Sequence, residues 1–202
     1  MKKQSTILII LTAIVYSSCT VMGSLYPLSE NEGEFIFKEE FIGKWSNTKS
    51  TNEIYDVDTV SGSRGKFYRI EILNRRTENR SIVDTIFLTG ILIQSGNWYF
   101  LDCKINPEKM LVNNKETEDL LILKHIILKL FFKGKDNIEA LTPDPDKLIK
   151  LIDAGKIKLD YSEIKKEDYL IYSKTTALKK AVEELNKYPD VYESVIELVR
   201  LK

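Results

Sequence analysis

His125 is the only histidine in the chain, so any Ser–His, Cys–His or histidine–metal chemistry has to pass through it. It sits in "KHIILKLFF", a strand-like run that places it on the same side as Ile127, Lys129 and Phe131. Turned inward, its imidazole would be a polar handle in a cavity; otherwise it is a hydrogen-bonded strand histidine. Two carboxylate pairs could do acid–base or cation chemistry. Asp56 and Asp58 in "YDVDT" share one strand face, where solvation is the simpler explanation, and Asp144 and Asp146 flank Pro145, where helix capping accounts for them. No Gly-x-Ser-x-Gly elbow, phosphate-cradling glycine loop or His-Glu-x-x-His helix occurs, and "DPDKLIKLIDAG" lacks the ligand spacing of a calcium loop. The residues therefore form no catalytic constellation, and they call for no cofactor and no metal.

The two cysteines differ. Cys103, in "WYFLDCK", has no residue nearby that would lower its pKa, and it reads as a small apolar packing residue. Cys19 follows Lys2 and Lys3, an apolar stretch from Ile7 to Tyr16, and the small residues Ser17 and Ser18. That order is the basic, apolar and small-residue layout of a secretory signal, and the apolar stretch is too short to span a bilayer. Ser17-Ser18-Cys19 resembles the lipobox of bacterial lipoproteins, with Tyr16 where leucine is usual, a looser form similar to that of Bacteroidetes sequences. The resemblance implies diacylglycerol on the Cys19 thiol, cleavage before it, and a membrane partner for the mature chain. Two or three acyl chains on one cysteine anchor stably, since each buried methylene contributes about 0.8 kcal/mol. Residues 1–18 are then a signal, 19–33 a lipidated end and flexible tether, and 34–202 a single β-rich domain. The first acid after Cys19 is Glu30, and the missing aspartate next to the cysteine resembles outer-membrane sorting, which implies the periplasmic face of that membrane.

Composition narrows the partners. The chain has 30 basic and 30 acidic residues, and loss of Lys2 and Lys3 with the signal leaves a net charge of −2. With no basic excess, nucleic acid is not an expected partner. If Cys19 is acylated, Cys103 has no partner for an internal disulfide.

The elements follow from periodicity. From Gly43 to Leu141 the sequence reads as strands, with "NEIYDVDT", "KFYRIEIL", "SIVDTIFLTGILIQ", "WYFLDCKI" and "KHIILKLFFK" separated by turn-forming clusters. In "KFYRIEIL", Tyr68, Ile70 and Ile72 alternate with Phe67, Arg69, Glu71 and Leu73, as expected of a sheet with one buried face. "QSGNWYF" reads as a tight hairpin. Asp144, Pro145 and Gly155 delimit a short helix, and "TTALKKAVEELNKY" forms a second, with Thr175 as its cap and Pro189 as its stop. A strand pair is expected between them at "KIKLDYS" and "DYLIYS". The end begins as a helix from Asp190 and finishes as helix or strand. The expected class is α+β: a mostly antiparallel β-barrel or strongly curved sheet with two or three C-terminal helices.

"FIGKWSN" resembles the Gly-x-Trp that opens the first strand of lipocalin-like barrels. The resemblance implies that Gly43 lets the chain turn in and that Trp45 plugs the barrel floor. The wider layout looks like small Bacteroidetes lipoproteins of an uncharacterised family, which implies a fold and no chemistry.

Two functional classes follow. One is a lipid-anchored carrier whose interior, lined by Trp45, Tyr68, Phe87, Trp98 and His125, holds a small apolar ligand. The other is an envelope scaffold with a filled core and no small-molecule ligand. A cavity of a few hundred Å³ favours the first, and a filled core with an exposed apolar patch favours the second.

Overall fold

In a computed structural model, residues 23–50, 52–62, 65–75, 82–105, 125–165 and 168–202 are described. Residues 1–18, expected to be a signal, and Cys19 lie outside them. The main strands are β3 (Gly43–Asn47), β4 (Glu53–Gly62), β5 (Gly65–Arg75), β6 (Ile82–Ser95), β7 (Trp98–Ile105), β8 (His125–Phe132), β9 (Asn137–Pro143) and β12 (Tyr192–Arg200). Consecutive strands from β3 to β9 pair antiparallel, β12 pairs with both β9 and β3, and the eight strands close into a barrel.

Closure depends on the last strand. The expected helix from Asp190 is only a 3-10 turn, Pro189–Val191, after which the chain extends as β12. "YESVIELVR" places β-branched residues between the free edges of β3 and β9, and filling both edges outweighs the helical tendency of its glutamates. Among the described residues there are two α-helices, α1 (Pro145–Asp153) and α2 (Thr175–Leu185). Asp144 caps α1 by accepting from the Lys147 N–H at 3.0 Å, and Gly155, at φ 69°, ends it. Thr175 does not cap α2: Lys174 occupies that position without a side-chain bond, and the Thr175 hydroxyl donates to Glu30. The expected strand pair forms as β10 (Tyr161–Lys165) and β11 (Asp168–Ile171), so the first strand begins later than "KIKLDYS" implies. Ile157 and Leu159 lie before it and are buried beneath the helices.

Two cores share one wall. The barrel interior holds Trp45, Val57, Tyr68, Ile70, Ile72, Leu92, Leu101 and Leu130. A second core lies outside the barrel, where Ile93 and Phe100 meet Leu148 of α1 and Leu178, Val182 and Leu185 of α2. Strands β6 to β8 are therefore apolar on both faces and lose their alternation, as in "IFLTGILI". The opposite wall keeps it. Its outer face carries Lys44, Asp56, Asp58, Arg69 and Glu71, joined by ion pairs such as Arg69–Asp58 at 2.8 Å. That face suits water, unlike the apolar outer band of a membrane-spanning barrel. No helix among the described residues is long and apolar enough to cross a membrane.

The segment expected to be a tether is tied to this body from Gly23 onward. Strand β1 (Gly23–Ser24) runs between β8 and β11, and Leu28 is buried in the outer core. Strand β2 (Phe35–Ile36) pairs with β6 beyond the point where β5 ends its pairing, and leads the chain across one end of the barrel.

Candidate functional site

The closed end of the barrel is built around Trp45, which has no exposed surface. Its indole N–H donates to the Phe41 carbonyl at 3.0 Å, and the Arg200 guanidinium stacks on its ring at 4.1 Å. Arg200 also donates to the carbonyls of Glu40 and Ile42, clamping the 3-10 turn Glu39–Phe41 over the barrel end. Gly43 makes this approach possible. Its φ of 132° suits glycine, and a β-carbon there would lie 2.5 Å from an Arg200 nitrogen. Tyr68 completes the plug, edge-on to Phe41 at 4.9 Å, stacked on Phe37 at 5.6 Å, and accepting from the Lys38 N–H at 2.7 Å.

The other part of the interior holds a cavity of about 420 Å³. Its walls are aliphatic, with Val57, Ile70, Ile72, Leu88, Leu101, Leu128, Leu130, Ala140 and Leu198 among them, and Cys103 joins them. Burial pushes the Cys103 thiol well up from its ordinary pKa, which keeps it protonated and inert, in keeping with its reading as a packing residue. At the β3–β4 hairpin the lining turns polar. Asn47 and Tyr55 both donate to Glu53 Oε2, at 2.9 and 3.0 Å, and all three side chains are buried. Burial, together with the adjacent Glu53 charge, raises the Tyr55 pKa well above the usual phenol range, so the hydroxyl remains a donor.

The aromatic residues expected to line a ligand space lie elsewhere. Trp45 and Tyr68 are inside the barrel, but they fill its closed end and do not border the cavity. Phe87 pairs with Glu71 on the outward face of the β5–β6 ladder. Trp98 belongs to the outer core, edge-on to Phe131 at 4.9 Å. His125 also faces outward, its Nδ1 2.7 Å from the buried Asp102 carboxylate, which in turn accepts from the Leu28 N–H at 2.7 Å. The physical reason is register: where the wall is buried on both sides, apolar residues give no parity signal, and Trp98 and His125 take the outward one, as does half-buried Phe87 beside Glu71. The Asp102–His125 pair pins the N-terminal segment to the wall. Asp56 and Asp58 pair with Lys44 and Arg69 on the solvated face.

Two features were not among the sequence candidates. Glu53 and its partners Asn47 and Tyr55 form the polar end of the cavity; the mixed parity of "NEIYDVDT", with Glu53 facing the same way as Tyr55 and Val57, was the available signal. Lys129 is buried on the outer wall, its ammonium donating to Asn186 at 2.7 Å with the Trp98 ring centroid 3.8 Å away and that of Tyr192 at 4.4 Å. Desolvation lowers its pKa to about 8. Among the described residues no group of three histidine, cysteine, aspartate or glutamate side chains could hold a metal ion. The chain matches no family model, no curated protein and no solved structure.

Proposed function

We propose that this chain is a lipid-anchored carrier, exported, acylated on Cys19 and held at the periplasmic face of an outer membrane, whose barrel takes up a small apolar ligand. The observation that carries the ligand part is the aliphatic cavity of about 420 Å³ inside a closed barrel, a size within the range of small-molecule sites. Small barrels are ordinarily filled by side chains, and the described residues of this one fill it at one end only. The anchor part rests on Lys2, Lys3, the apolar run and Ser17-Ser18-Cys19, together with the resemblance of that order to a lipobox. The described fold begins at Gly23, four residues after the thiol, so an acylated Cys19 would hold the body close to the bilayer surface. The alternative, a scaffold without ligand, calls for a filled interior, and the cavity argues against it.

Native mass spectrometry of a chain that begins at Cys19→Ala and keeps every described residue tests the carrier reading. A reproducible small-molecule adduct after expression in a bacterial envelope supports it, and a clean apo mass after detergent-free isolation counts against it. Radiolabelled palmitate should enter the wild-type chain and not Cys19→Ala; equal labelling, or none in either, removes the anchor.

A further inference from the structure

Resting on the reading of the cavity as a ligand site, we infer that the ligand is an amphiphile whose head group donates a hydrogen bond to Glu53: an alcohol or amine on a short apolar body, and not a free fatty acid. The cavity is anisotropic. Aliphatic side chains surround most of it, whereas the polar atoms of Asn47, Glu53 and Tyr55 gather at the β3–β4 hairpin.

The carboxylate is held in place from several directions. The Asn47 amide oxygen accepts from the Lys49 N–H at 3.1 Å and the Glu197 N–H at 3.4 Å, so its NH₂ group is the one presented to Glu53. Tyr55 donates its hydroxyl to the same carboxylate oxygen. Among the described residues the side-chain donors to Glu53 sit on Oε2, and Oε1 is the acceptor we assign to a donor entering the cavity.

An apolar body entering the cavity displaces water from a carboxylate that is only 7% exposed. Without a new donor, that leaves a buried charge incompletely paired, an unfavourable outcome that a hydroxyl or ammonium on the ligand removes. A fatty-acid head would instead bring a second carboxylate against Glu53. Among the described residues Lys49 is the lysine lining this end, and its ammonium already donates to the Ser194 carbonyl at 2.6 Å and lies 3.7 Å from Glu197. The volume sets the size: at about 30 Å³ for a water-sized group, the cavity takes on the order of 14 non-hydrogen atoms.

The test is calorimetric titration of the Cys19→Ala chain with 1-decanol, decylamine and decanoate at pH 7. Decanol and decylamine should bind at least tenfold more tightly than decanoate, and Glu53→Gln should narrow that ratio below threefold. The ranking in the unmodified barrel decides the inference even if Glu53→Gln does not fold. Tyr55→Phe, which leaves the carboxylate in place, should preserve the ranking. Equal binding of all three probes, or tightest binding of decanoate, overturns the head-group assignment and leaves the carrier reading standing. Binding of none of them overturns both.

Discussion

The two ends of the barrel are built from the same strands, yet one is solid and the other hollow. At the closed end, Trp45, Phe41 and Tyr68 occupy the interior, and Arg200 ties the N-terminal 3-10 turn over them. Toward the β3–β4 hairpin the inward residues are aliphatic, with alanine at 140, until the polar cluster of Asn47, Glu53 and Tyr55, and no aromatic ring but Tyr55 reaches in from the strands among the described residues. Position 138 on β9 is isoleucine and belongs to the packed part, while Ala140, two residues along the same face, borders the cavity. Side-chain volume within a single ladder thus determines where the barrel is core and where it is container. A fold can be stabilised at one end and leave the other free for a ligand.

That division can be broken from either side. Trp45→Ala removes the plug and the surface on which Arg200 stacks, and should cost about 3–5 kcal/mol in urea denaturation. A loss under about 1 kcal/mol would mean that the closed end is not what holds the barrel together. Gly43→Ala asks a β-carbon to adopt φ 132° and displaces Arg200; its expected cost is about 1–3 kcal/mol in the same assay. A pair on β9 compares the two ends directly. Ile138→Phe should overpack by about 1–3 kcal/mol, whereas Ala140→Leu should change stability by less than about 1 kcal/mol and weaken uptake of an apolar probe. Equal costs at the two positions would contradict the hollow end.

The smallest effect concerns the outer wall. Lys129 has a pKa of about 8 in the folded chain against an ordinary value of 10.5. Between those values the unfolded chain binds more protons, so this residue makes stability rise with pH from about 8 to 10.5 and adds no slope below that range. Denaturation midpoints at pH 7.5, 9 and 10 should therefore rise more steeply in the wild type than in Lys129→Met. Parallel curves would show that the ammonium is not desolvated by the rings of Trp98 and Tyr192.

What could be read in the chain follows from which faces are wet. The β4–β5 wall faces water outside and the core inside, so "KFYRIEIL" alternates and its inward set, Tyr68, Ile70 and Ile72, is the set found in the interior. The turn at Gly96-Asn97 and the α1 boundaries at Asp144 and Gly155 were legible because each depends on local backbone chemistry. The wall from β6 to β8 is buried on both faces by α1, α2 and the N-terminal segment, and there parity carries no information; that is why Trp98 and His125 were expected inside. The closing role of β12 depends on the free edges of β3 and β9, which lie far away in sequence. Glu53 passed as one acid among many, because its burial is created by the hairpin and by Asn47 and Tyr55.

The proposed uptake places a small apolar ligand in the hollow end and in no other part of the molecule. Methyl NMR of the Cys19→Ala chain titrated with 1-decanol tests it most directly, because isoleucine, leucine and valine line both cores. The account predicts shifts concentrated at Ile70, Ile72, Leu88, Leu101 and Leu128, with Ile93, Ile157 and Leu178 of the outer core unmoved. Saturating probe without shifts in the first set, or with the larger shifts in the second, would contradict it.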